Sequence, residues 1–245
     1  MATIEKLTYE GIVLRLAQTK EADAMVNALG PNGLFSFYAR GVGKWTSKNK
    51  GAVQTLSHAH FSLILSTSGS LTLSEAKPIE SFLPAQADLG ALSVFSFLSE
   101  LSVKLIQQGE GEAMYPWLLK TLQSIQSGFD PLTAGLIYFA HLLVDFGIGL
   151  DVDQCVVCHK KTSITSLSFV DGGFLCKEHA EEEGAILCSA RKLKIIRYLF
   201  RVPLESLTKV SFEKEETIPL YRELSDYVSN LTGVRLQSLS LLEKI

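Results

Sequence analysis

The sequence predicts an α+β fold of more than one domain, and three observations lead to that reading. Residues 1–80 break into short stretches whose apolar residues alternate with period two. Beyond Pro78 and Pro84 the apolar spacing lengthens to that of helices. A cysteine-bearing segment then interrupts the helical pattern at Asp151.

Thr8 to Ala17 alternates, which puts Ile12, Leu14 and Leu16 on one face and Tyr9, Val13 and Arg15 on the other. Ala22 to Leu29 is a second strand. Gly30-Pro31-Asn32-Gly33 is a turn, because it combines residues suited to positive φ with a proline that fixes a corner. Leu34 to Arg40 and His60 to Ser66 follow as strands, and Ser68-Gly69 turns the chain into Ser70 to Lys77. Five short strands in this space predict a small closed sheet, of which the oligonucleotide-binding (OB) β-barrel is the five-stranded form.

Gln86 to Gln108 and Glu112 to Ser127 carry helical stripes, separated by Gly109-Glu110-Gly111. Asp130-Pro131 reads as an N-cap followed by proline at the first helical position. The helix it opens is apolar almost all round and therefore belongs inside a bundle. Helical spacing returns at Ser189 to Leu204 and Ile218 to Leu231. The expected organisation is a barrel domain over 1–80 and an α-helical domain over 81–245, with a metal-binding module inserted at about 151–187.

Apolar residues make up 47% of the 245, enough for a substantial core. Leu132 to Leu150 is the most membrane-like stretch, but it contains His141, Asp145 and three glycines, so a core helix is expected. The N-terminus lacks a basic region leading into an apolar one, so no secretory signal is expected. A net charge of −3 means that any nucleic-acid binding must come from local clustering of cations.

The strongest chemical signal is Cys155-Val-Val-Cys158, then 17 residues, then Cys176-Lys-Glu-His179. Two ligand pairs at knuckle spacing suit a tetrahedral Zn2+. Phe169 to Leu175 reads as a hairpin turning at Asp171-Gly172-Gly173, which returns the second pair to the first. Four protein ligands leave no place for water, so the zinc is expected to be structural. His179-Ala180-Glu181 resembles the H-x-E element of zinc deaminases, but the order relative to C-x-x-C is reversed. Cys188 is expected to be a buried small residue and His141 a hydrogen-bonded core histidine. His58 and His60 share a strand face without a third metal ligand near them in sequence.

Between Arg40 and Lys50 lie Arg40, Lys44, Lys48 and Lys50 with no acid, and Trp45 offers a ring on which a base can stack. The alternative is an ordinary solvated loop. Arg191, Lys192, Lys194, Arg197 and Arg201 form a second cluster on a helix whose other side carries Leu193, Ile196 and Phe200. There a solvated face over a core face is the plainer reading, with Arg191, Lys194, Arg197 and Arg201 as a secondary phosphate-binding candidate.

In this order the parts resemble the RecO family of recombination mediators. The resemblance is carried by Glu10 to Arg15 and Glu21 to Val26, by Tyr38 to Val42 with Ser47 to Gly51, by Leu73 to Phe82, and by Phe169 to Cys176 with its Gly-Gly pair. It implies a bacterial, cytoplasmic, nucleoid-associated DNA-repair protein that binds single- and double-stranded DNA and anneals complementary strands. It further implies RecR and the single-stranded-DNA-binding protein SSB as partners, RecA loading as the outcome, and no membrane attachment. The family's DNA-contacting loop maps onto Arg40, Lys44, Lys48 and Lys50, where arginines are usually denser. His179 stands where a fourth cysteine is common. No catalytic constellation is visible, so an enzyme is not expected. The rival readings are a zinc-dependent hydrolase or deaminase, and a protein-interaction scaffold without nucleic-acid contact.

Overall fold

The structure, a computed structural model, describes residues 5–82 and 88–245. The chain divides into two compact units, residues 1–128 and 129–245. The helices expected to start at Gln86 and Glu112 therefore group with the barrel, although Gln86 itself lies outside the described residues.

Strands β1 (Glu5–Gln18), β2 (Ala24–Gly30), β3 (Gly33–Ala39), β4 (Ser57–Leu65) and β5 (Leu71–Ser81) close into a barrel in the order β1-β2-β3-β5-β4. All pairings are antiparallel except β3 with β5, which meet in parallel at Tyr38 and Thr72. Closure depends on the long β1, whose first half pairs with β4 and second half with β2. A bulge between Val13 and Arg15 resets the alternation of β1. Val13 therefore enters the barrel core with Tyr9 and Leu16 packed against it, while Ile12 and Leu14 are buried outside that cluster. The expected grouping of Leu16 with Ile12 and Leu14 is thus corrected, because strict alternation cannot register the extra residue. Phe35, Phe37 and Phe61 fill the centre, with the Phe37 and Phe61 rings 5.0 Å apart.

Strand β5 continues past Lys77 through Pro78, which sits where β4 shifts register between His58 and Ala59, so its missing N–H breaks no regular ladder. The turn at Gly33 is required twice over. Its φ is +91°, and a Cβ there would lie 2.6 Å from the Glu110 carbonyl oxygen. That close approach lets Leu34 N donate to Glu110 O at 2.8 Å and Gly109 N donate to Leu34 O at 2.7 Å.

Helix α1 (Leu89–Leu105) packs on β1, and α2 (Met114–Gln126) follows the Gly109–Gly111 turn. Tyr115 of α2 anchors that helix to the barrel. Its hydroxyl donates to Glu10 Oε1 at 2.6 Å, and His58 Nε2 lies 3.0 Å from the same oxygen. His58 is buried in this cluster whereas His60 is exposed, so the two histidines occupy different environments.

In the second unit α3 (Pro131–Asp145) is buried on nearly every side, as its composition predicts. Asp130 caps it by accepting from Thr133 N at 2.7 Å. Against it pack α5 (Ala190–Arg201) and α6 (Lys214–Thr232), with α7 (Leu239–Leu242) on α6. Buried polar groups link the helices: Tyr221 Oη donates to Leu132 O at 3.0 Å, and Phe212 N donates to Thr133 Oγ1 at 3.0 Å. Between α3 and α5 the chain forms a three-stranded sheet in the order β6 (Asp151–Cys155), β8 (Gly173–Cys176), β7 (Ile164–Ser168), followed by the short α4 (Lys177–Glu182).

The Glu10 carboxyl is held below its ordinary range, first by the Tyr115 hydroxyl, against the opposing effect of burial, and then by His58. A lowered folded-state pKa contributes stability above the ordinary glutamate pKa that is lost as pH falls through the lowered value. Tyr115→Phe is expected to cost about 1.5–3 kcal/mol at neutral pH, the value of a hydrogen bond to a charged group. The difference from the unaltered protein should shrink on acidification. Urea unfolding at two pH values checks this, and unchanged midpoints would contradict it.

Candidate metal centre and nucleic-acid interface

Cys155 closes β6, Cys158 follows in a tight turn, Cys176 ends β8 and His179 lies on α4. The turn is a knuckle in which His159 N donates to Cys155 O and Cys155 N donates to Lys160 O, each at 2.8 Å. His159 adopts a positive φ of 62° there, and its ring faces Gln154 rather than the cysteines. The hairpin needs both glycines. Gly172 has a φ of +76°, and a Cβ on Gly173 would lie 2.3 Å from Asp151 O.

The four side chains converge, with their ligand atoms all within 4.8 Å of one another. Cys158 Sγ and Cys176 Sγ are 3.8 Å apart, and His179 Nδ1 lies 3.6 Å from Cys155 Sγ and 3.2 Å from Cys176 Sγ. A tetrahedral ion with bonds of about 2.0–2.3 Å spaces its ligands roughly 3.3–3.8 Å apart; these three contacts lie in or just below that span, so a small adjustment lets this Cys3His group hold a metal ion. Burial works against ionisation of Cys155, yet backbone N–H groups of Cys158, Cys176 and Val157 bring its thiol down to about 6. The backbone N–H and ring of His179 lower Cys176, and the Cys176 sulfur raises His179 in return. Lys160 Nζ and Glu178 Oε2, 2.7 Å apart, staple the two knuckles from outside. Glu181 sits on the exposed side of α4, 3.9 Å from Lys177 Nζ. Cys188 stands apart from the cluster and is partly exposed, not buried as expected.

The basic segment is the connection between β3 and β4, and it is a folded lobe. Val42, Ala52 and Val53 insert into the barrel core. Successive turns are closed by Lys44 N to Gly41 O at 3.1 Å, Ser47 N to Lys44 O at 3.1 Å and Val53 N to Asn49 O at 3.0 Å. Asp23 clamps the entry, accepting from Tyr38 Oη at 2.6 Å and from Gly41 N at 2.7 Å. Those two bonds, that from Tyr38 first, hold its carboxyl below the ordinary range, helped by the nearby charges of Lys20 and Arg40. Asn49 Oδ1 accepts from Ala76 N at 3.0 Å and pins the far side.

Arg40, Lys44, Trp45 and Lys48 are exposed on this lobe, and Lys50 is half-buried with its Nζ 4.7 Å from the centre of the Trp45 ring. Lys20, on the β1–β2 connection, acts on Asp23 together with Arg40 and so adds a cation to this side of the barrel. Its distance in sequence from Arg40 gave no sign of that.

The second cluster has a different character. Arg191 makes a two-pronged pair with Glu216 at 2.8 and 3.0 Å. Arg197 and Arg201 both hold Asp153 of β6, at 3.1 and 2.8 Å. Lys194 is exposed on the same helix. Three of the four candidate cations are thus engaged by carboxylates that lie far off in sequence, and two of them brace the metal-site sheet against α5. His141 is partly buried on α3, where desolvation pulls its pKa down to about 4 and keeps it neutral.

Residues 1–82 match the family Recombination protein O N terminal, and residues 86–240 match Recombination protein O C terminal. A DNA repair protein RecO from Bacillus cytotoxicus is 30% identical over 239 residues, covering 96% of each chain. Those of Bacillus mycoides and Bacillus cereus are 29% identical with the same coverage. With the OB barrel, the helical region and the inserted cysteine module all in their expected order, the chain belongs to the RecO family of DNA repair and recombination proteins.

Proposed function

We propose that this protein is a non-catalytic recombination mediator that holds DNA on the basic lobe of its barrel. The observation that carries this reading is the lobe itself, where Arg40, Lys44 and Lys48 project, and Lys50 lies over Trp45, on a segment pinned at Val42, Asn49 and Val53. Fixed cations bind a phosphate chain without the ordering cost that a floppy loop would incur. Phosphate contacts do not depend on base sequence, so the cations of the lobe can engage the backbone of both single- and double-stranded DNA. A platform that neutralises two strands while leaving their bases accessible lowers the repulsion that opposes annealing. On this reading the protein works in the bacterial cytoplasm at the nucleoid, with RecR and SSB as partners, and assists RecA loading. Among the described residues no helix is long and apolar enough to cross a membrane.

The ion held by Cys155, Cys158, Cys176 and His179 is Zn2+ in a structural role. Three soft sulfurs and one imidazole suit zinc, and four protein ligands close its coordination shell. The metal would supply cohesion that the module's small core, chiefly Cys155, Leu175, Cys176 and Ala180, lacks.

Fluorescence anisotropy of a labelled single-stranded oligonucleotide tests the DNA reading. Affinity should fall steeply with salt. Changing Lys44, Lys48 and Lys50 together to Ala should reduce the logarithmic salt slope by about 2, at roughly 0.7 for each phosphate no longer neutralised. Absence of binding at low salt would leave the scaffold reading in its place. For the metal, structural zinc sites carry on the order of 10 kcal/mol of binding free energy. The purified protein should contain one zinc per chain, and Cys155→Ser should lose it with a lowered Tm. A chelator that leaves Tm unchanged would contradict the structural role. Loss of a hydrolytic activity on Glu181→Ala, with the fold intact, would favour the enzyme alternative.

A further inference from the structure

Trp45 is 90% exposed on a lobe that is otherwise ordered. Large aromatic side chains are seldom left so open to water. The ring is not loosely tethered. Its flanking turns are closed by Lys44 N to Gly41 O and Ser47 N to Lys44 O, each at 3.1 Å, and by Lys50 N to Ser47 O at 3.3 Å. Lys50 Nζ, 4.7 Å from the ring centre, occupies one side of the indole by a cation–π contact. With one side attended by a cation and nine-tenths of the surface in water, the opposite side is an open π-face.

From this geometry we infer that Trp45 is the strand-selecting residue of the lobe, stacking an unpaired base while Lys50 meets the phosphate next to it. The inference rests on the DNA-binding reading above and adds to it a preference for single strands. A base can stack on a protein ring only through a face that no neighbouring base occupies. Single strands offer such faces, whereas within a duplex both faces of every interior base are taken. The lysines read phosphate, which both forms carry, so they bind without choosing between them. Selectivity must come from the one aromatic side chain on the lobe, which offers a face on which a base can stack. An abasic strand keeps the phosphates and lacks the bases, so it separates the two contributions.

The test uses the intact 245-residue protein with oligothymidine, an abasic strand of equal length and a blunt-ended duplex without a loop, all at one moderate salt concentration. Trp117 is the second tryptophan, so a Trp117→Phe background isolates the fluorescence of Trp45. Oligothymidine should quench that fluorescence, and the abasic strand and the duplex interior should not. Trp45→Ala should weaken oligothymidine binding about tenfold, within the range expected for one stacked base, and leave duplex affinity unchanged. Trp45→Phe should restore part of the loss. An unchanged single-strand to duplex ratio in Trp45→Ala, an equal loss for both forms, or equal quenching by the abasic strand would overturn the inference while leaving the phosphate platform standing. Absence of any binding by the unaltered protein would overturn both.

Discussion

The insertion of Val42, Ala52 and Val53 into the barrel core is the constraint on which the proposed DNA-binding surface depends. A connection of this length between two strands, rich in lysine and glycine, would ordinarily stay solvated and mobile. Here three apolar residues at its two ends are removed from water, at about 0.8 kcal/mol per buried methylene group. The segment between them is thereby forced into a short series of turns that points its charged residues outward. Asp23 completes the arrangement by taking the Tyr38 hydroxyl and the Gly41 amide at the entry. The same burial that helps fill the barrel core thus arrays the cations.

The second unit solves a different problem with different chemistry. Its metal-site sheet has three strands of four or five residues, too little to sustain a core of its own. Four converging side chains are placed to supply a cross-link through a metal ion, and Asp153 ties the sheet to α5 through Arg197 and Arg201. Basic residues therefore do two kinds of work in this chain. On α5 most are paired with carboxylates and hold parts of the protein together. On the barrel lobe they project into water, where a polyanion can reach them.

Much of this was legible from the residues alone, for physical reasons that can be stated. The Asp130-Pro131 cap and the Gly172-Gly173 turn are local devices, and each stands where its residue types demand. The cysteine and histidine pairs were equally plain, because tetrahedral ligation imposes a spacing that chance seldom produces. The bulge in β1 was invisible, since one extra residue looks the same as none until the partner strand is known. The Glu10–His58–Tyr115 cluster was invisible too. It joins residues 105 positions apart in the chain, and only closure of the barrel brings them together. The pairing of Arg191, Arg197 and Arg201 has the same cause, since a run of basic residues does not announce the acids that face it.

The central claim is that the β3–β4 lobe is both preformed and the place where DNA is held. Amide hydrogen exchange, followed with and without a single-stranded oligonucleotide, addresses both halves at once. The account predicts that the amides of Lys44, Ser47 and Val53, which already close turns, exchange slowly in the free protein. It predicts further slowing on the lobe when DNA is added, with little change along α5. Exchange at unstructured rates in the free lobe, or protection by DNA confined to α5, would contradict it.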